Sequence, residues 1–280
     1  MKGSPKTGLT LVAMDMTLRV CETVTDKIEV LGEGEALISA EKLIAVLKQF
    51  GDELLTCQID DRDHMTVLAD GTRLRIPGEP PNEFPAFLDY SKTTALRVSA
   101  KTLVEMITKV NFAADTEMGR FAIDGVLVHA FKDQIRLVCT DNKSLAVSTL
   151  KLDRKVKSKQ HAIVPTKSML LVRDLVKGHE DEVELRFTNH VFVVTHGTTE
   201  IAARLKEGAY PPYGKALTMK APIKVKATKD KLRKALAKAA LATGVYSNSV
   251  TFEFDTDELT LTAKDPEAGE SEIKVAVVYA

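Results

Sequence analysis

Four times along the chain, an extended segment leads into an amphipathic helix and then into three further extended segments. A period of this kind has to be recognised before any fold is proposed, because each copy is one supersecondary unit whose apolar face needs a neighbour. The first copy covers roughly residues 35–78, where "EALIS" leads into "AEKLIAVLKQF" and then "LLTCQID", "HMTVLAD" and "TRLRIP". The second, about 94–152, has "ALRVS", the helix "AKTLVEMITKV", then "IDGVLVHAF", "QIRLVCTD" and "SLAVSTLKL". The third, about 160–206, has "HAIVP", the helix "TKSMLLVRDLVKG", then "DEVELRF", "HVFVVTH" and "TEIAARL". The fourth, about 222–279, has "PIKVKA", a lysine-rich helix opening at "TKDKLRKALAKAA", then "SVTFEF", "ELTLTA" and "EIKVAVVY".

Local chemistry agrees with this division. Leu43, Leu47 and Phe50 lie at i, i+4 and i+7, on one face of the first helix. Ser39, Ser99, Thr166 and Thr228 stand at the helix starts as expected caps, with side-chain oxygens able to accept from free N–H groups. The extended segments are rich in Val, Ile, Thr and Phe, and several alternate polar with apolar residues, as antiparallel sheets with one buried face do. The expected fold class is therefore α+β. Ahead of the first copy, "LTLVAMDMTLRVCETV" (9–24) reads as one more hairpin with no helix of its own. Segments 79–92 and 207–220 are proline-rich, share an aromatic–Pro step followed by a Tyr, and read as connectors between domains. Segment 151–160 is polar and basic with neither feature, so copies two and three form one domain and copies one and four belong to flanking ones.

The chain has 39 basic and 39 acidic residues, a formal net charge of zero. That balance hides a segregation of sign. Lys42 and Lys48 against Glu41 leave the first helix at +1, and Lys101 and Lys109 against Glu105 leave the second at +1. Lys167, Arg173 and Lys177 against Asp174 leave the third at +2, and Lys229, Lys231, Arg233, Lys234 and Lys238 against Asp230 leave the fourth at +4. Cations collected on one kind of element point to a shared surface that meets phosphates. Tryptophan is absent and aromatics are 5%, which argues against a base-stacking surface for single strands but not against a duplex gripped through its backbone.

Other classes are excluded or disfavoured. No apolar run approaches the roughly 18–20 residues that cross a bilayer. The start "MKGSPKTG" has no apolar signal core, so a cytoplasmic protein without membrane contact is expected. Cys21, Cys57 and Cys139 have no metal or redox spacing and read as reduced. Phosphate-binding-loop, dinucleotide, zinc-protease and nucleophile-elbow motifs are absent, so no enzymatic activity, no cofactor and no metal site are expected. His129 reads as a boundary residue, and Asp60, Asp61 and Asp63 as a solvated turn.

Repeats, basic helices and proline-rich connectors together resemble the bacterial sliding clamp, the beta subunit family of DNA polymerase III. "RFAIDGVLVHAF" (120–131) and "IRLVCTDNKSLAVSTL" (135–150) are similar to the family's middle domain, and "AIVPTKSMLLVRDL" to its Val–Pro–Lys helix start. "ARLKEGAYPPY" is similar to its Leu–x–x–Gly–x–Phe–Pro–x–Tyr connector, and "LTAKDPEAGESEIKVAVVY" to the strands that close the first half of its third domain. The resemblance implies a DNA clamp fold, with antiparallel sheets outside and basic helices inside a ring through which duplex DNA passes unread. It divides the chain into a partial first domain (1–92, the hairpin and one βαβββ half), a complete middle domain (93–218) and the first half of a third (219–280). A natural short clamp and a piece of a longer one are both compatible with that division.

The implied function is a processivity factor that encircles duplex DNA and tethers replicative polymerase and clamp loader. The alternative is a non-encircling clamp-derived regulator or decoy that binds clamp, loader or polymerase. DNA contact is expected from Lys229, Lys231, Arg233, Lys234 and Lys238, with Arg173, Lys177, Lys101, Lys109, Lys42 and Lys48. In the fourth helix Lys231, Lys234 and Lys238 form the phosphate-facing stripe, and Leu232, Leu236 and Ala239 the buried side. The family's pocket for short partner peptides maps onto Ile123, Thr140, Asn142, Lys143, Leu145 and Val147. Lys143 and Ser144 stand where the family has His–Arg, so altered peptide specificity is expected. Counting halves, copy four of one chain would complete copy one of the next, which favours a homotrimer over a dimer.

Overall fold

Each repeat helix spans eleven residues: α1 Ala40–Phe50, α2 Ala100–Val110, α3 Thr166–Val176 and α5 Lys229–Ala239, with a short α4 at Gly214–Leu217. The computed structural model describes all residues other than 52, 70, 87, 89, 91, 92, 94, 116–122, 157–159, 220–222, 245–248 and 280. Arg120, Phe121 and Ala122 of the middle-domain motif thus lie outside the described residues. The chain forms two compact units, Met1–Pro212 and Tyr213–Ala280, with the division inside the second proline-rich connector.

In the first unit, β1 (Lys2–Ser4), β2 (Gly8–Met14), β3 (Leu18–Val24), β4 (Gly34–Glu35) and β5 (Leu37–Ile38) precede α1. After it come β6 (Thr56–Ile59), β7 (Met65–Ala69), β8 (Thr72–Ile76) and β9 (Gly78–Glu79). β10 (Leu96–Ser99) leads into α2, followed by β11 (Gly125–Phe131), β12 (Gln134–Thr140) and β13 (Leu145–Lys151). β14 (Gln160–Pro165) leads into α3, followed by β15 (Glu182–Phe187), β16 (Val191–His196) and β17 (Thr199–Arg204). The second unit holds α4, β18 (Val225–Lys226), α5, β19 (Thr251–Phe254), β20 (Glu258–Asp265), β21 (Gly269–Ala276) and β22 (Val278–Tyr279).

Repeats two and three interlock by exchanging strands. β10 pairs antiparallel with β15 of the third repeat, while β14 pairs with β11 of the second. Each three-stranded meander thereby gains a fourth strand from the other repeat. Between the sheets the helices meet: Leu103, Met106, Ile107 and Val110 of α2 share one core with Met169, Val172 and Val176 of α3. Among the described residues, repeats one and four show no such exchange. Their meanders β6-β7-β8 and β19-β20-β21 stay three-stranded, and β5 and β18 pair with β9 and β22 of their own repeats. The edges that correspond to β11 and β15, namely β6 and β19, are exposed along their whole length. Unpaired strand edges are surfaces that proteins normally pair, cover or keep short.

Several details differ from the sequence reading. The hairpin of residues 9–24 joins the sheet of the third repeat: β3 pairs with β17, which extends that sheet to eight strands, β10-β15-β16-β17-β3-β2-β1-β4. On α1, Leu43, Val46 and Phe50 pack on the local core, whereas Ile44 and Leu47 are 51% and 40% exposed. Those two side chains line a groove of about 830 Å³ together with Leu11, Ala13, Val20 and Phe84. Only Ser39 caps as expected, accepting from Lys42 N at 3.5 Å. Ser99 and Thr228 occupy the cap position without a side-chain capping bond, and Thr166 is the first helical residue, donating instead to Asp124 O at 2.8 Å. The first connector is anchored through Tyr90, which donates to Glu200 and accepts from Arg19 Nη1 at 2.7 Å.

Candidate nucleic-acid interface and peptide pocket

Helix α5 separates its two faces cleanly. Ala235 and Ala239 are buried, and Leu232 and Leu236 pack beside them on Leu259, Leu261, Val275 and Val277. Lys229, Lys231, Arg233, Lys234 and Lys238 are all exposed, and among the described residues no ion pair holds any of them. Lys231 with Lys234 and Lys234 with Lys238 sit at i, i+3 and i, i+4, spacings at which like charges destabilise a helix by about 0.2–0.5 kcal/mol each. Lys229 and Lys231 also lie in the first turn, where the helix dipole favours anions and only Asp230 supplies one. Local stability alone does not select this arrangement. An anionic partner would turn the repulsion into attraction.

The remaining expected DNA contacts divide into two sets. Lys42, Lys48 and Lys177 are exposed and outside the ion pairs of the described residues, although Lys177 lies just past the end of α3 rather than within it. By contrast Lys101 pairs with Glu180 at 3.6 Å, Lys109 with Glu105 at 3.4 Å, and Arg173 places Nε and Nη2 on Asp174 Oδ1 at 2.8 and 2.7 Å. Carboxylates thus already offset the charge of these three. The sequence count of +2 on the third helix overstates what α3 presents.

The expected peptide pocket sits at the β12–β13 end of the four-stranded sheet. Alternation turns Ile135, Leu137 and Cys139 towards the helices, so the outward face carries Val138 and Thr140 of β12. Thr140 stands opposite Leu145, Val138 opposite Val147, and Leu127 opposite both Val138 and Ile163. An apolar row Ile163–Leu127–Val138–Val147 therefore crosses the outer face. Only its Val147 end is half-exposed, with Leu145 beside it. Ile123 and Thr140 are buried at 2% and 7% exposure, so they support the floor rather than offer contact area. Leu127, Val138 and Ile163 were not singled out in the sequence, though strand alternation was the available signal. Tyr210 of the second connector donates to Val138 O at 3.0 Å and so borders this row.

The turn that carries Asn142 and Lys143 is tightly built. Asp141 Oδ1 accepts from Lys143 N at 2.9 Å, Ser144 N at 2.5 Å and Ser144 Oγ at 2.8 Å, and Asn142 takes the left-handed conformation at φ 68°. The Ser144 backbone and hydroxyl bonds, then the Lys143 backbone bond, hold the Asp141 carboxyl at about 2. A folded-state value below the ordinary 3.8 means this contribution is complete above the unfolded value and is lost as pH falls towards 2. An NMR titration of the Asp141 side chain should give a midpoint near 2, raised in Ser144→Ala. An identical midpoint in that variant would contradict the hydroxyl bond.

Residues 97–212 match the family described as DNA polymerase III beta subunit, central domain. Over 247 residues the chain is 24% identical to the beta sliding clamp of Pseudomonas putida, covering 88% of this chain and 67% of that protein. It is 22% identical over 273 residues to that of Chlamydia muridarum, covering 97% and 73%. The crystal structure of the DNA polymerase III beta subunit from Pseudomonas aeruginosa superposes with a TM-score of 0.90 at 23% identity, covering 96% of this chain and 74% of that one. A second structure, a putative DNA polymerase III beta subunit from Eubacterium rectale, gives 0.88 at 18% identity, covering 100% and 76%. At these TM-scores the chain has the DNA clamp fold. The family match is confined to residues 97–212, and over most of its length the chain is similar to the bacterial beta sliding clamps.

Proposed function

We propose that the chain is a sliding-clamp processivity factor that holds duplex DNA through its phosphates and tethers replication proteins to it, without catalysis of its own. The observation that carries this reading is the row of exposed, uncompensated cations on α5, opposite a fully apolar buried face. Contacts to phosphates fix position but carry no base information. Affinity should therefore be equal for unrelated duplex sequences and fall steeply with salt. Fluorescence anisotropy with two unrelated duplexes across a salt series tests this, and a strong preference for one sequence would sink it. No described helix is long and apolar enough to cross a membrane. With family members acting in replication, the cytoplasm is the compartment this function requires.

The same reading extends to partners and assembly. Replicative polymerase and clamp loader would dock short apolar peptides on Leu145 and Val147, with Lys143 altering the specificity. Calorimetric titration of a consensus clamp-binding peptide should give weakened affinity, and ordinary low-micromolar binding would refute the altered pocket. The chain would be organised as the domains 1–92, 93–218 and 219–280, with repeats one and four completed by other copies. In the middle domain a donated strand covers the β11 and β15 edges. By the same geometry β18 of one copy would cover β6 of the next, and β5 would cover β19. This head-to-tail contact closes into a ring, for which a homotrimer is favoured over a dimer. Light scattering should give the mass of a closed oligomer. A concentration-independent mass of one chain would end the composite-domain idea and favour the regulator reading.

A further inference from the structure

We propose that His179, Asp181 and His196 form a binding site for a borderline divalent metal ion, with zinc as the reference ion. Their ligand atoms all lie within 4.8 Å of one another. His196 Nε2 is 2.9 and 3.0 Å from the two Asp181 oxygens, and the His179 and His196 rings are 4.4 Å apart between centroids. Tetrahedral zinc with bonds of about 2.0–2.2 Å holds its ligand atoms roughly 3.3–3.5 Å apart. The His196–Asp181 pair is close to that spacing already. His179 is exposed and follows Gly178, which has φ 88°, so its ring needs only a local adjustment.

Two elements supply the trio, the loop between α3 and β15 and the end of β16. His179 follows α3, Asp181 precedes β15, and His196 ends β16, which pairs with β15 through Glu184 and Thr195. Asp181 O accepts from Ala100 N at 2.8 Å, which pins this loop to the first residue of α2. The His196 side chain is only 10% exposed, so one ligand is nearly withdrawn from water, while the exposed Asp181 and His179 leave a path for the ion. Glu182 follows Asp181 and adds negative potential, whereas Glu180 is paired with Lys101. Two imidazoles, one carboxylate and an open fourth position suit zinc or its first-row neighbours, whereas magnesium and calcium take oxygen ligands. A bound ion would tie the end of α3 to the β15–β16 hairpin beside the α2 start. No metal was expected from the sequence, because a strand pair separates His179 from His196 and only its register brings them together.

Calorimetry on the untagged chain, stripped by a chelator and titrated with zinc chloride, tests the site. One equivalent should bind and raise the unfolding midpoint, and magnesium chloride should do neither. His179→Gln and His196→Gln should each weaken zinc binding by more than about a hundredfold, since even outer partners of metal ligands are worth about 10–100-fold. The exposed His190→Gln should leave it unchanged. His179 lies on the surface, so its variant keeps the test decisive even if the His196 variant folds poorly. No binding to the native chain, or unchanged affinity in His179→Gln, would overturn the proposal.

Discussion

Replacing Lys231, Lys234 and Lys238 with glutamate will abolish binding of duplex DNA while the protein stays folded. All three side chains are exposed, and the buried face of α5, built from Leu232, Ala235, Leu236 and Ala239, is left untouched. Glutamates at the same spacings repel one another as the lysines do, so helix stability should change by only tenths of a kcal/mol. DNA binding responds differently, because each phosphate contact contributes a released counterion. Before binding vanishes, single Lys→Glu changes should each lower the slope of log affinity against log salt by about one. Charge reversal at Lys109 or Arg173 should have a smaller effect, since Glu105 and Asp174 already offset those cations. Anisotropy titrations with far-ultraviolet circular dichroism as the folding control measure both quantities. Unchanged DNA affinity in the triple variant would remove α5 from the interface.

The second large effect concerns the seam between α2 and α3. Leu103 is 2% exposed in a core shared by both helices and the two sheets. Leu103→Ala should cost about 2–5 kcal/mol, because close-packed surroundings collapse only partly into the space left behind. For a unit of this size that corresponds to a fall in the melting midpoint of very roughly 5–15 °C. Leu47→Ala on α1 should cost far less, since Leu47 is 40% exposed and lines an open groove. Thermal unfolding of the two variants separates them. Equal destabilisation would mean that Leu47 is covered in solution, which a second copy on repeat one would achieve.

Much of the fold was legible because helix boundaries follow local period. The apolar spacing of residues 40–50 and 100–110 marks α1 and α2 end to end, and every meander strand overlaps its expected segment, with β20 running on to Asp265 and β21 starting early at Gly269. What stayed hidden was non-local. Pairing of Val20 with Ile201 places the hairpin beside β17, and nothing in either segment names its partner. The exchange of β10 and β14 between repeats is invisible for the same reason. On α1 the apolar positions fill more than one face, so Leu47 could not be told from Val46 without the packing. In the candidate interface, residue type revealed the lysines of α5 and the i, i+4 spacing revealed the Glu105–Lys109 pair, whereas the Lys101–Glu180 pair depends on loop placement. The outward row through Leu127 and Val138 could have been read from alternation, but β11 and β12 are buried largely on both faces and show little of it.

Encirclement predicts topological retention on duplex DNA, with α5 facing the phosphates. It is tested most directly by loading the chain onto a nicked circular plasmid with a bacterial clamp loader, then washing in high salt before and after a single cut. Salt screens phosphate contacts but does not open a closed ring. The protein should remain on the circle through the wash and leave once the DNA is linear. Loss from the uncut circle, or equal retention on circular and linear DNA, would contradict an encircling clamp.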